Sequence, residues 1–378
     1  MKRKLFPTQE VGSLPKPAWL VRGLRGEPAG PSELAELHRW ARTLRFAREA
    51  RRAEQLVASP PGPRRDLELR DLGSHHHVKL LETAGLDYVF DGEVHRAEMY
   101  EHAVSHCEGF TFRGHVRSFD NMYYQKAAAT GEVAFKVPYH LEEFEFVASK
   151  AKRDVKVPVA GPYTLADWSF NEFYTGHPAR GRKTRTVRDR HRDAKSDLAM
   201  DIARKVIRPN LRALIEAGAD VVQIDEPAAG AKPDEVDIFV EAFNEATRGL
   251  GREFPCHICL TDYRLLFPAA LEMKRCSMWM WELSNKASSE DAYRFLHMLN
   301  EFDDRRKVGV GVVDSHVDRV EAPELVRDRL LRAAEVLDDP ERVFANPDCG
   351  LRTRSLDVAF AKLTSMVEGA RLAREVAG

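Results

Sequence analysis

Four residues in the C-terminal third of the chain have the types and spacing to hold a metal ion that also takes a thiol. They are His257 and Cys259 in Pro255-Cys256-His257-Ile258-Cys259, Glu282 in Trp281-Glu282-Leu283, and Cys349 in Asn346-Pro347-Asp348-Cys349-Gly350. Residues two apart on a β-strand point to the same face, so a strand here would present His257 and Cys259 together. Thiolate, imidazole and carboxylate are all zinc ligands. Ligands drawn from separate segments differ from a compact Cys-x-x-Cys structural knuckle, and they suit a metal that exchanges one ligand for substrate. A thiol bound to zinc loses its proton at neutral pH and becomes a nucleophile.

Other polar features carry less chemistry. His75-His76-His77 resembles a metal tract, yet adjacent helical residues fan around the axis, so a solvated helix start is the expectation. Cys107, Cys256 and Cys276 read as small core residues. Five cysteines in 378 residues do not make a secreted disulfide framework. Lys+Arg of 58 against Asp+Glu of 59 gives no global attraction to nucleic acid or membrane. The chain shows no bilayer-length apolar run, and Met1-Lys2-Arg3-Lys4 leads into Phe6-Pro7 rather than an apolar signal core. A cytoplasmic protein is expected.

The elements that must position these residues alternate. Strands are expected near 8–12, 87–91, 155–160, 220–225, 255–260, 277–282, 307–312 and 342–346, with helices at 32–57, 75–85, 196–217, 234–248, 288–300, 323–337 and 354–375. Eight strands separated by helices predict an α/β fold, a (β/α)8 TIM barrel formed by a single domain over 1–378. Residues 104–137 read as an inserted β-hairpin, and the early helices as a long helical N-terminal insertion. Gly12 and Ser13, Glu93, Gly161, Asp225, Cys259, Glu282, Asp314 and His316, and Cys349 all fall at the C-terminal ends of these strands. That rim is where barrels of this kind build active sites.

The chain resembles the catalytic barrel of cobalamin-independent methionine synthases along nearly its whole length. The resemblance runs through Thr8-x-x-x-Gly12-Ser13-x-Pro15, Asp91-Gly92-Glu93, Gly161-Pro162-Tyr163-Thr164 with Trp168-Ser169-Phe170, Ile224-Asp225-Glu226-Pro227, His257-x-Cys259, Glu282, Asp314-Ser315-His316 and Asn346-Pro347-Asp348-Cys349-Gly350-Leu351-Arg352-Thr353-Arg354. It implies methyl transfer to homocysteine sulfur to form methionine, with zinc held by His257, Cys259, Glu282 and Cys349. It also implies that Ser13, Glu93 and Asp225 hold the amino-acid end of homocysteine. His316, with Asp314 near it, would protonate the leaving group. The chemistry agrees: ionised carboxylates accept from an ammonium, the Gly12-Ser13 turn can offer N–H groups to a carboxylate, and histidine titrates in the useful range. Trp168 could stack on a flat pterin ring.

The chain also departs from the family. No second, N-terminal barrel is expected, Asp167 stands where the family usually has Asn, and Met278-Trp279-Met280-Trp281 is unusually bulky. These departures leave the methyl donor open between a methylated folate and a methylcorrinoid or corrinoid protein. Two alternatives are alkyl transfer to another small thiol, such as coenzyme M attacking an epoxide, and a non-catalytic zinc- and thiol-binding protein. A sulfonate thiol would need cations where Glu93 and Asp225 stand. In segment 176–195, eight Lys/Arg against Asp189 and Asp193 leave a local charge of +6, which would attract an anionic donor unless it is only a solvated surface.

Overall fold

A computed structural model describes residues 4–117, 123–177, 186–286 and 289–378. Its strands are β1 (Tyr88–Val89), β2 (Cys107–Arg117), β3 (Tyr123–Phe135), β4 (Asp154–Ala160), β5 (Phe170–Asn171), β6 (Val221–Asp225), β7 (Phe254–Ile258), β8 (Cys276–Trp281), β9 (Lys307–Val313) and β10 (Val343–Pro347). Seven of them form one parallel sheet in the order β1-β4-β6-β7-β8-β9-β10. The N-terminal segment closes that sheet, with Thr8 bridging Ala345 of β10 and Gln9 bridging Tyr88 of β1, both in parallel. Gln9 N–H donates to Ala345 O at 3.0 Å and Ala345 N–H to Pro7 O at 2.9 Å. The ring is a (β/α)8 barrel whose first member is short and whose helices pack outside.

Alternation along the strands sorts side chains between two environments. In β8, Trp279 and Trp281 face outward, where Trp281 stacks on Tyr263 at 4.4 Å and Phe267 packs edge-on to Trp279. Met278 and Met280 point into the barrel, where they meet Val11 and Phe344 in a small separate cluster. The bulk of Met278-Trp279-Met280-Trp281 is therefore divided between core and barrel interior. Nearer the mouth the interior turns polar. Lys156, fully buried, donates to Glu10 O and Gln223 Oε1.

The expected hairpin is present: β2 and β3 pair antiparallel, and β5 adds to β3 in parallel. The helical insertion is present as Ala18–Leu24, Pro31–Thr43, Ala47–Val57 and Pro63–Ala84. Three expectations are corrected. The helix expected over 32–57 breaks at Leu44–Phe46, where Arg45 takes φ 53 and Phe46 is buried. The helix expected from 75 begins at Pro63, after Gly62, so His75–His77 lie within it rather than at a solvated start. His76 is fully buried against Trp19, Trp40 and Phe46, and His77 Nδ1 lies 2.9 Å from Asp91 O. The helix expected from 196 begins at Val187, where Thr186 and Asp189 form a reciprocal capping box, and passes through a π-turn at Ile202–Ile207.

Candidate functional site

β7 presents His257, and Cys259 follows it on the same face, while Cys256 lies buried on the other. Cys349 follows β10. One His257 ring nitrogen and the sulfurs of Cys259 and Cys349 lie within 4.8 Å of one another. The two sulfurs are 3.8 Å apart, the separation expected for two thiolates at about 2.3 Å in a tetrahedral zinc shell, roughly 3.8 Å. His257 Nδ1 lies 3.1 Å from Met280 O, and its Nε2 is buried without a hydrogen-bond partner. A protonated Nδ1 leaves Nε2 with a lone pair suited to a metal. The contact with Cys259 and the nearby His257 hold the Cys349 thiol well below its ordinary value. Burial pulls His257 down, but the neighbouring Cys349 charge holds it above its usual range. These three residues fit a soft, thiophilic cation.

Glu282 lies outside that triad. Its carboxylate, fully buried, accepts from Leu260 N–H, from Asn285 Nδ2 and from His316 Nε2, the last at 2.9 Å. The Glu282 hydrogen bond raises His316 to about 9, with burial opposing it. The contact thus favours the protonated form of the His316 ring. Asp314 acts on the backbone: its Oδ1 accepts the His316 N–H at 2.7 Å, and its own N–H donates to Glu321 Oε1 at 3.0 Å. Buried Lys362 holds Glu321 in turn. Asp348 ties the loop after β8, accepting from Leu283 N–H at 2.8 Å and Ser284 N–H at 2.9 Å.

Glu93 and Asp225 are both buried near the start of the Gly12-Ser13 turn. A Cβ on Gly12 would stand 3.2 Å from Glu93 Oε1, and one on Gly350 would stand 2.6 Å from Ser13 Oγ. Glycine at these points lets the carboxylate and the turn approach closely. Glu93 itself takes φ 62, a strained conformation for a residue with a Cβ, held by its N–H to Asp91 Oδ1 at 2.8 Å. Asp225 accepts from Gln223 Nε2 at 2.6 Å and pairs in register with His257. Burial raises Asp225 to about 7 against the nearby His257, and raises Glu10 to about 7 against Lys156. Both Glu10 carboxylate oxygens are buried without partners. Such a concentration of buried carboxylates favours a bound cation.

Above these groups opens a cavity of about 210 Å³ lined by Ser13, Trp168, Cys259, His316, Cys349 and Arg352, among others. Trp168 is half-buried, 5.4 Å from the Tyr124 ring that the hairpin brings to the wall. Tyr124, Glu98, Leu260, Arg352 and Thr353 were not singled out as site residues from the sequence. Arg352 and Thr353 stand in the motif around Cys349, where their place was readable, whereas the hairpin residues carry no local signal. In the basic segment, residues 178–185, and with them Arg180, Arg182, Lys183 and Arg185, lie outside the described residues. Of the remainder, Arg188 pairs with Asp234, Arg192 with Asp237, and Lys195 with Asp167 and Glu235. Part of that segment's charge is thus neutralised in place, and Asp167 is one of the acids that does so.

Comparison with known proteins bears on the family and the fold. The family described as "Cobalamin-independent synthase, Catalytic domain" matches residues 68–372. A methionine synthase of Thermoplasma acidophilum is 35% identical over 381 residues, covering 95% of this chain and 96% of its own. One from Thermococcus kodakarensis is 35% identical over 375 residues, covering 99% and 95%. In three dimensions, a B12-independent methionine synthase from Shewanella sp. W3-18-1, solved with selenomethionine, superposes with a TM-score of 0.76 at 23% identity, covering 99% of both chains.

Proposed function

From the membership of this chain in the cobalamin-independent methionine synthase family, and hence among the methyltransferases, we propose that it methylates homocysteine sulfur with the aid of zinc held by His257, Cys259 and Cys349. The observation that carries the metal reading is the orphaned Nε2 of His257 beside two sulfurs 3.8 Å apart, at the edge of a cavity. A zinc ion there would acidify the substrate thiol. Glu282 is the fourth ligand of this proposal: Asn285 and His316 meet its Oε1, and Oε2, which accepts only from Leu260 N–H, keeps a lone pair for the ion.

The chain's own groups bind and orient the rest. Glu93 and Asp225 receive the ammonium of homocysteine, and the Gly12-Ser13 turn receives its carboxylate. The Shewanella relative was solved with selenomethionine, a ligand with the same amino-acid end. His316 Nε2, held protonated by Glu282 and oriented through its backbone by Asp314, delivers a proton to the departing nitrogen of the donor. Trp168 and Tyr124 offer a flat wall to a methylated folate, and the basic segment 176–195 recruits an anionic donor, either that folate or an acidic corrinoid protein. Reduced cysteines suit a cytoplasmic enzyme.

The test is methyl transfer to homocysteine from 5-methyltetrahydrofolate, its polyglutamate, methylcobalamin and a methylated corrinoid protein. Methionine should form with at least one donor. His316→Asn should slow the folate-supported reaction by about 10²–10⁴ and the methylcobalamin reaction far less, because a cobalt leaving group needs no such proton. Absence of methionine with every donor would remove the reading.

A further inference from the structure

Glu93, buried beside the Gly12-Ser13 turn, is not alone. Buried Arg96 lies between it and Glu143, and shares itself unequally. Arg96 Nε donates to both Glu143 oxygens at 2.9 and 3.1 Å, whereas its Nη1 reaches Glu93 Oε1 only at 3.4 Å. Arg96 is 2% exposed and Glu143 4%, so neither charge is met by bulk water. His140 Nδ1 lies 2.8 Å from Glu143 Oε1 and His102 Nε2 3.5 Å from it. Although His102, His140 and Glu143 lie close enough to hold a metal, the Arg96 guanidinium already neutralises Glu143. A second cation there would be repelled.

The unequal distances decide what Glu93 can do. A short charge-assisted contact outweighs a long one, so Arg96 is in effect the counterion of Glu143. We propose that Glu143 is a positioning residue for the amino-acid substrate: by engaging Arg96, it keeps the Glu93 carboxylate free to receive the substrate's ammonium group. This rests on the assignment of Glu93 to that ammonium in the proposed function. Without the Glu143 charge, Arg96 would be a buried cation whose nearest carboxylate is Glu93, and it would close on Glu93 from 3.4 Å.

Calorimetry on the metal-loaded protein separates the possibilities, using homocysteine and 4-sulfanylbutanoate, which keeps the thiol and carboxylate and lacks the ammonium. The wild type should prefer homocysteine. Equal binding of the two by the wild type would remove the ammonium reading of Glu93 and this proposal with it. Glu143→Gln, close in shape and uncharged, should weaken homocysteine roughly tenfold or more and the analogue by less than about twofold. Glu143→Asp, which keeps the charge at shorter reach, should lose less than about threefold. The double substitution Arg96→Gln with Glu143→Gln removes the competing cation and should restore the preference for homocysteine, even if Glu143→Gln alone fails to fold. A wild type that prefers homocysteine, together with a Glu143→Gln that weakens both ligands alike or neither, or a double variant without that preference, would overturn the positioning role and leave the proposed function standing.

Discussion

Cys259 and Cys349 follow strands far apart in sequence, yet their sulfurs meet at 3.8 Å without forming a disulfide. Removing either thiolate deletes a strong ligand and a compensating charge. Elemental analysis of the purified protein should find one zinc per chain, and Cys349→Ala should lose most of it; unchanged zinc in both Cys349→Ala and Cys259→Ala would eliminate the site. Asp225 supports a second test. Burial raises it to about 7, so below that pH it carries a proton that must leave before it meets an ammonium as a carboxylate. Ligand binding linked to that loss weakens as pH falls, by up to about tenfold per unit below 7. Methionine, which has no thiol to titrate, should therefore bind progressively less well from pH 7.5 to 5.5, and Asp225→Asn should flatten the profile. Binding that tightens on acidification would contradict the ammonium role.

At the scale of elements, loops between well-packed strands are fastened by carboxylates. Glu226, at the end of β6, accepts from Tyr163 N–H at 3.1 Å and Thr164 N–H at 2.7 Å, and a Cβ on Gly161 would stand 2.2 Å from its Cδ. The short helix after β4 (Pro162–Asp167), which Trp168 caps, is thus tied at its first turn to the neighbouring strand end, as Asp348 ties the loop after β8. The hairpin then brings Tyr124 against Trp168. If that pair is the wall against which a methyl donor lies, Tyr124→Ala should raise the donor KM by about fivefold or more, from the loss of roughly 1 kcal/mol of ring contact. Methionine affinity should hold. Steady-state kinetics in which both constants deteriorate together would show that the hairpin merely supports the barrel.

At the scale of the molecule, the barrel closes through the two ends of the chain. Residues 7–9 lie between β1 and β10, and Arg374 of the last helix donates to Leu5 O at 2.8 Å and Phe6 O at 3.0 Å. The segment that closes the ring also leads into Glu10, Gly12 and Ser13, so closure and the substrate end of the site are one construction. The Gln9 and Ala345 amides, which bond across the closure, should show hydrogen-exchange protection equal to that of β6 and β9. Exchange faster by several orders of magnitude would mean that the closing segment frays while the rest of the barrel persists. No helix among the described residues is long and apolar enough to cross a membrane.

Much of this was legible in the chain itself. Apolar runs of strand length separated by amphipathic stretches marked all eight ring members within a few residues, because burial on both faces demands such runs of any parallel barrel. His257 and Cys259 could be placed on one face because strand alternation is a local property, and the motif around Cys349 announced its importance without a partner. Local pattern could not show the break at Arg45, whose left-handed turn is imposed by burying Phe46, or the burial of His76, decided by Trp19 and Trp40 from other helices. Nor could it show that Glu282 faces His316, that Tyr124 reaches Trp168, or that Arg96 divides itself between Glu93 and Glu143. Those relations depend on distances between segments remote in sequence, and only the closing of the barrel brings them within reach of one another.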